Sequence, residues 1–166
     1  MEKWFGCGSE CSDFVCLHFD WSHRCKEVSA QRPAQRRRYA EKGSQIELDG
    51  VSWGRADRTL VLALSTRCRY CNDSADFYRR LAPVAAAAGV PVVAVFPQSI
   101  DEARAQWASQ NLPLTGVDFT QVSGGGLPVS GTPTLILVDR KGVVLRAWAG
   151  KQPASGEAEI IHAVQQ

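Results

Sequence analysis

The chain has 166 residues, a hydrophobic content of 45% and a formal net charge of +2. This length and composition can bury a sizeable core, so we expect one globular domain, with or without an extension, and not a disordered or fibrous chain. Residues 1–45 carry eight Lys and Arg against six Asp and Glu, whereas residues 46–166 carry eleven of each. The neutral body therefore offers no electrostatic case for binding nucleic acid.

The first 43 residues show no sustained hydrophobic periodicity, and their basic charge is concentrated at residues 36–38. Four of the six cysteines fall in this stretch: Cys7, Cys11, Cys16 and Cys25. Their spacing is compatible with zinc ligands or with two disulfides and is diagnostic of neither. We expect residues 1–43 to be a disordered extension before a domain at 44–166. A metal or disulfide knot and a wrongly chosen start codon are the alternatives.

Signals for export or membrane insertion are not visible in the sequence. No apolar stretch of the length of a signal-peptide core follows a charged start. The longest apolar stretch, residues 84–96, is interrupted by Gly89 and Pro91 and is too short to span a bilayer. From these patterns alone we expect a soluble, unexported chain.

The body of the chain alternates apolar runs with helical patterns. Continuous apolar runs at 59–64 and 90–96 predict parallel strands that are covered on both faces. Helical periodicity begins at about Cys68, and Pro83 is expected to kink or divide that helix because it lacks a backbone donor. A short edge strand at 46–48 is expected to precede these elements.

The second half continues the alternation. Ser99 and Glu102 have the S-x-x-E form of a capping box and open a helix that ends at about Gln110. A short strand is predicted at 116–122. The glycine-rich loop at 123–126 lacks the G-K-S/T sequence of a phosphate-binding loop, so we exclude that function for it.

The last elements are a predicted hairpin and a helix. Residues 135–138 and 143–149 are predicted to pair around a turn at 139–142, and a final amphipathic helix spans 157–164. The resulting order is β-α-β-α-β-loop-β-β-α. This order predicts an α/β fold with a mixed sheet and helices on both of its faces.

Two cysteines, Cys68 and Cys71, stand between the first central strand and the helix that follows it. At the start of that helix, unpaired backbone N–H groups and the helix dipole would favour the thiolate of Cys68. Cys71, one turn later, could then attack a mixed disulfide formed by Cys68. Half a zinc site and two inert thiols are the alternatives. The closest other cysteine in the sequence is Cys25, so a closed zinc site lacks nearby ligands.

A second stretch, Gly131-Thr132-Pro133-Thr134, precedes the apolar run at 135–138. Proline is tolerated at the first position of a strand, and a cis bond before it would present the backbone of Thr132. Together, the C-x-x-C motif and this T-P-T stretch resemble the thioredoxin superfamily. The closer resemblance, over about residues 43–166, is to the TlpA/ResA-type redoxins.

The resemblance implies a thioredoxin-like fold with an extra helix–strand unit before the cis-proline loop. It implies a thiol–disulfide oxidoreductase, and we predict no cofactor and no metal. Cys68 would be the nucleophile and Cys71 the resolving thiol, while Thr132 and Pro133 would align a substrate chain. The implied partners are protein thiols or disulfides and an upstream redox partner. Family members are usually held at the bacterial membrane facing the periplasm, although no membrane segment is visible here.

The sequence departs from thioredoxin at two positions near the motif. Leu62 stands where thioredoxins carry an acidic residue in the strand before the motif, and Arg67 replaces the tryptophan before the first cysteine. Proton transfer must then use water or another group. Arg67 and Arg69 flank Cys68, and their positive charge is expected to lower the pKa of its thiol.

Two other functions are compatible with the sequence. A thiol peroxidase of the peroxiredoxin type has the signature P-x-x-x-S/T-x-x-C, of which this chain has Ser65 but carries Val61 in place of the proline. A binding or chaperone module would keep the fold with incidental cysteines. Such a module would show no loss of disulfide exchange when Cys68 is mutated.

Overall fold

A computed structural model of the chain describes residues 40–122 and 129–166. The predicted extension at 1–43 lies almost wholly outside the described residues, as does the glycine-rich loop at 123–126. Within the described ranges the strands are β1 Arg58–Ala63, β2 Val92–Phe96, β3 Val117–Gln121, β4 Thr134–Asp139 and β5 Val144–Ala149. The α-helices there are α1 Arg69–Asn72, α2 Ala75–Ala87, α3 Ile100–Ser109 and α4 Ala154–Gln165.

The strands form a mixed sheet in the order β3-β2-β1-β4-β5. β1, β2 and β3 are parallel, while β4 runs antiparallel to both β1 and β5. β1 is the central strand, and its Leu62 lies between Ala94 of β2 and Leu135 of β4. The predicted mixed α/β sheet is confirmed, and the helix–strand unit α3–β3 lies where the sequence predicted it.

The sheet separates two apolar clusters. β1, β2 and β4 are buried along almost their whole length, as their continuous apolar runs predict. All four α-helices contribute to the cluster on one face, which includes Leu62, Cys71 and Tyr78. The other face is covered within the described residues mainly by the stretch from Ile46 to Trp53. Helical cover of this second face is therefore limited there to the 3-10 helix Trp53–Arg55.

The motif helix breaks earlier than the sequence predicts. The break between α1 and α2 falls at Ser74, whose hydroxyl donates a hydrogen bond to the Tyr70 carbonyl at 2.8 Å. Such a side-chain bond competes with the helical backbone ladder. Pro83, the predicted break, lies inside α2. Leu81 and Ala85, on either side of Pro83, are buried. Their packing stabilises the helix although Pro83 has no backbone N–H to donate.

Three other boundaries can be compared with the prediction. Residues 46–48 do not form a strand, because only a single bridge, between Gln45 and Val143, joins this stretch to the sheet edge. The final helix begins at Ala154, earlier than the predicted 157, because its small, polar first turn carries no apolar signal. The predicted Ser99 cap of α3 is confirmed, because the Glu102 amide donates to Ser99 Oγ at 3.3 Å. The Glu102 carboxylate accepts from the Thr66 hydroxyl and does not complete the capping box.

Candidate functional site

The motif cysteines lie where the central strand β1 ends. The turn after β1 is closed by a hydrogen bond from the Cys68 amide to the Ser65 carbonyl at 3.1 Å. Cys68 then caps α1, and its Sγ accepts a hydrogen bond from the Cys71 amide at 3.2 Å. Both sulfurs are free thiols, Cys68 partly exposed and Cys71 buried. The structure therefore brings together the two thiols that the sequence singled out.

The helix after Cys68 is too short for the predicted dipole effect to dominate. α1 contains only four residues before the chain breaks at Ser74. A macrodipole is the sum of aligned peptide dipoles, so four residues supply little of it. The electrostatic state of Cys68 instead depends on individual hydrogen bonds.

Opposing effects act on the pKa of the Cys68 thiol. Partial burial is the largest single effect and raises the pKa. Hydrogen bonds from the Cys71 thiol, from the Thr132 side chain and from the backbone of Cys71 and Tyr70 together outweigh burial and lower the pKa below its ordinary value. The lowered pKa favours the thiolate, which is the nucleophilic form of cysteine.

The Cys71 thiol is shifted in the opposite direction. Burial raises its pKa most, and the hydrogen bond with Cys68 raises it further. The backbone of Ser65 and the side chain of Thr132 offset part of this, and the pKa of Cys71 is raised to about 12. Near neutral pH, Cys71 therefore keeps its proton and can donate a hydrogen bond to a Cys68 thiolate.

The T-P-T stretch lies beside Cys68, although 64 positions separate the two in sequence. The Thr132–Pro133 peptide bond is cis. The Cys68 thiol donates to the Thr132 carbonyl oxygen at 3.1 Å, a contact that favours the protonated sulfur. Pro133 is buried, and its carbonyl accepts a hydrogen bond from the Gly150 amide at 2.7 Å. This loop is thus fixed against β5 and in contact with the outer sulfur.

The two arginines that flank Cys68 in sequence are exposed. Arg69 lies 3.8 Å from the Asp73 carboxylate, one helical turn away. Neither Arg67 nor Arg69 is among the groups that shift the pKa of Cys68. Among the described residues no contact supports their predicted tuning role, which stays a prediction.

Polar side chains that the sequence did not predict hold the turn before the motif. Gln98 donates to Ser65 Oγ at 3.1 Å and accepts from the Thr66 amide at 3.2 Å. The Thr66 hydroxyl donates to the Glu102 carboxylate at 2.6 Å. Because β1 and β2 are parallel neighbours, the loops that follow them meet at one edge of the sheet. From this rule the sequence could have indicated that Gln98, two residues after β2, lies near the motif.

The surroundings of Cys71 are apolar on the side of β1. Leu62 is buried and belongs to the same apolar cluster as Cys71 and Tyr78. On this face of the sheet β1 therefore carries a leucine at position 62, and not a carboxylate. In residues 40–122 and 129–166, no group of three or more metal-ligating side chains is assembled. Within the same ranges, no helix is long and apolar enough to cross a membrane.

Comparison with known proteins identifies the fold. Neither a protein-family model nor a curated protein matches the sequence. By structure, the chain is similar to a protein assigned as a thiol:disulfide interchange protein DsbE from Chlorobium tepidum. The identity is 25% and the TM-score 0.58, over 76% of this chain and 96% of that chain.

Two further solved structures share the fold. The thioredoxin domain of a thiol-disulfide oxidoreductase from Bacteroides vulgatus has 13% identity and a TM-score of 0.55, over 76% of this chain and 99% of that chain. StoA from Bacillus subtilis has 15% identity and a TM-score of 0.51, over 64% of this chain and 81% of that chain. Taken with the strand order of the sheet, these likenesses show that the chain has a thioredoxin-like fold.

Proposed function

We propose that the protein is a thiol–disulfide oxidoreductase that exchanges a Cys68–Cys71 dithiol or disulfide with protein substrates. The observation that carries this proposal is the contrast between two thiols one helical turn apart. Cys68 is partly exposed and its pKa is lowered, while Cys71 is buried and its pKa is raised. The similar structures include a thiol:disulfide interchange protein and a thiol-disulfide oxidoreductase, which supports a redox function in general.

In the reducing direction, the Cys68 thiolate attacks one sulfur of a substrate disulfide. The substrate S–S bond breaks, a mixed disulfide forms, and the departing sulfur leaves as a thiolate that takes up a proton. Cys71 then loses its proton and attacks Cys68 Sγ, which breaks the bond between Cys68 and the substrate. The second substrate thiolate is released and protonated. Two electrons have passed to the substrate, and the two cysteines are joined in a disulfide.

The loop at Thr132 and Pro133 would align the substrate for this attack. The Thr132 carbonyl oxygen lies 3.1 Å from Cys68 Sγ, so a substrate sulfur joined to Cys68 would lie alongside this backbone. An extended substrate segment can form strand-like hydrogen bonds with such a backbone. The hydrogen bond from the Gly150 amide to the Pro133 carbonyl would keep the loop in place during exchange.

The proposed reaction needs an upstream redox partner, because each turnover leaves the cysteine pair oxidised. We infer that the chain acts outside the cytoplasm, on the strength of its resemblance to the TlpA/ResA-type redoxins. Residues 44–166 are proposed as the redox domain, with residues 1–43 as an extension that exchange does not require. Activity of a chain that begins at Ser44 would test this division.

Reduction of insulin by dithiothreitol, followed as turbidity, tests the function. The wild-type chain should shorten the lag before precipitation, and Cys68→Ser should return it to the uncatalysed value. Cys25→Ser is the matched control, because it removes a thiol from the proposed extension, and it should keep the wild-type lag. A Cys68→Ser chain that still accelerates precipitation would contradict the proposal. Fast consumption of hydrogen peroxide without insulin reduction would favour the peroxidase.

A further inference from the structure

A buried tyrosine in α2 lacks a partner for its hydroxyl. Tyr78 is only 2% exposed, yet its hydroxyl makes no hydrogen bond with another described residue. Its ring stacks on Trp107, with ring centroids 6.1 Å apart and an interplanar angle of 6°. A buried hydroxyl without a partner destabilises a fold, so packing alone would favour phenylalanine at this position.

Ser74 is the first candidate partner for the Tyr78 hydroxyl, but the two side chains are not placed to form a hydrogen bond. Ser74 is close enough to lower the pKa of Tyr78 against the larger effects of burial and of the Cys71 charge, which raise it. The Ser74 hydroxyl nevertheless donates its proton to the Tyr70 carbonyl at 2.8 Å. Ser74 Oγ could still accept a hydrogen bond, but the Tyr78 hydroxyl makes none with it or with another described residue, so it is available to another group.

Tyr78 shares a small cavity behind the motif with such a group, the Cys71 thiol. Tyr78 and Cys71 both line it, together with Ser65 and Asn72. The space open to the centre of a water molecule is about 10 Å³, which is the size of one water. The pKa of Tyr78 is raised first by burial and then by the charge of Cys71, so the hydroxyl and this sulfur are electrostatically coupled.

The resolving step needs a hydrogen-bond donor at this place. Negative charge must develop on Cys71, in surroundings that raise its pKa to about 12. Leu62 of β1 cannot stabilise that charge, because its side chain is apolar. Tyr78, with its raised pKa, keeps its proton at ordinary pH and can therefore act as a donor but not as a base.

We propose that the Tyr78 hydroxyl donates a hydrogen bond to the Cys71 sulfur, directly or through one water in the cavity, during the resolving step. The inference rests on the proposed function. Cys71 gives its proton to solvent, the bond between the sulfurs of Cys71 and Cys68 forms, and the bond between Cys68 and the substrate breaks. The departing substrate thiolate takes a proton from solvent. Tyr78 keeps its own proton throughout, so no additional oxidant or reductant is needed.

The test compares Tyr78→Phe with Tyr39→Phe, which removes the same hydroxyl from a tyrosine of the proposed extension. Both changes are made in the full chain, with serine at four positions: Cys7, Cys11, Cys16 and Cys25. The reduced protein is mixed in slight excess with 5,5′-dithiobis(2-nitrobenzoate) in a stopped-flow instrument. The first coloured thiolate reports attack by Cys68, and the second reports resolution by Cys71.

Tyr78→Phe should leave the first release unchanged and slow the second about tenfold, the effect of losing a hydrogen bond to a charged group. Tyr39→Phe should change neither rate, and Tyr78→Phe should melt at or above the wild-type temperature. Equal second releases in Tyr78→Phe and wild type would overturn the inference and leave the proposed function intact. A wild type without a second release would overturn both. Tyr78→Phe melting well below wild type would overturn the inference, because the hydroxyl would then have a structural partner.

Discussion

Cys68 and Cys71 are the same chemical group one helical turn apart, yet they lie in two different regions of the molecule. Cys68 lies beside the cis-proline loop, partly exposed, with hydrogen bonds that lower the pKa of its thiol. Cys71 lies under the apolar cluster of the sheet, where burial raises its pKa. Because α1 has only four residues, this difference cannot come mainly from a helix dipole. Burial and individual hydrogen bonds set the two pKa values apart.

The largest expected effect comes from removing each sulfur in turn. Cys71→Ser should still attack a protein disulfide through Cys68 but should stall as a stable mixed disulfide, because the resolving thiol is missing. With serine also at Cys7, Cys11, Cys16 and Cys25 in both variants, Cys68→Ser should form none, because the one remaining thiol, Cys71, is buried. Non-reducing gel electrophoresis after incubation with a disulfide-bonded protein measures both. Mixed disulfides of equal amount in the two variants would remove the distinction between the cysteines.

A smaller but still large effect is expected in thiol alkylation. The rate at Cys68 should level off at a lower pH than that of an ordinary thiol, because its pKa is lowered. The rate at Cys71, with a pKa of about 12, should still be rising at that pH. Each pKa unit changes the thiolate population tenfold. The more basic thiolate is also the better nucleophile, which offsets about half of that effect on the logarithm of the rate. Because the pKa of Cys68 lies below that of an ordinary thiol and the pKa of Cys71 lies well above it, Cys68 should react more than about tenfold faster at pH 7.

Peptide mass spectrometry can measure both alkylation rates in one sample of reduced protein. Trypsin cleaves after Arg69, which separates the two cysteines into different peptides. Each rate is followed from pH 5 to pH 10 with iodoacetamide. Equal rates, or a Cys71 rate that levels off below pH 9, would contradict the opposite pKa shifts.

A few-fold effect is expected from the turn that precedes Cys68. Gln98→Ala removes the hydrogen bonds to Ser65 Oγ and to the Thr66 amide. We expect a loss of about 1–2 kcal/mol in the free energy of unfolding. Attack by Cys68 should slow by a smaller factor, because the turn that positions it is held less firmly. Urea denaturation and the alkylation assay measure the two effects.

A matched control for Gln98→Ala is Gln45→Ala. The Gln45 side chain donates a long hydrogen bond, 3.4 Å, to the Lys141 carbonyl at an exposed site away from the motif. Its removal should change neither the unfolding free energy nor the alkylation rate by more than a small amount. Similar losses in the two variants would show that the Gln98 contacts are not special to the motif.

The smallest effect is expected from the arginines. Replacing Arg67 and Arg69 with alanine should raise the pKa of Cys68 only slightly and make the couple slightly more reducing. Both side chains are exposed, and screening in solvent weakens their charge over about 10 Å at moderate salt. The pH profile of Cys68 alkylation in low and high salt measures the change. A large shift that persists in high salt would mean that these arginines do tune the sulfur.

The sequence predicted the features that depend on local patterns. The apolar runs of β1 and β2 predicted buried parallel strands, and the helical periodicity after Cys68 predicted the helical stretch that the structure divides into α1 and α2. The C-x-x-C and T-P-T stretches were recognised as motifs, and the fold brings them into contact.

The features that the sequence missed depend on contacts between distant residues. The hydrogen bonds of Gln98 to the turn before the motif exist only because two parallel strands end at the same edge of the sheet. The break at Ser74 needed a choice between a side-chain bond and a backbone bond, which the local pattern does not determine. Periodicity buries Tyr78 but says nothing about a partner for its hydroxyl.

The most direct measurement of the proposed exchange is a redox titration of the full chain in glutathione buffers, followed by acid quenching and digestion with trypsin. Cleavage after Arg67 and Arg69 separates residues 68–69 from residues 70–79 unless their cysteines are joined. We expect one disulfide-linked species of these two peptides, which rises and falls reversibly in a single two-electron transition. The lowered pKa of Cys68 stabilises the reduced form, so the midpoint should be less reducing than about −270 mV. The proposed exchange would be contradicted if, at every potential, Cys68 carried glutathione in a mixed disulfide and Cys71 stayed a free thiol.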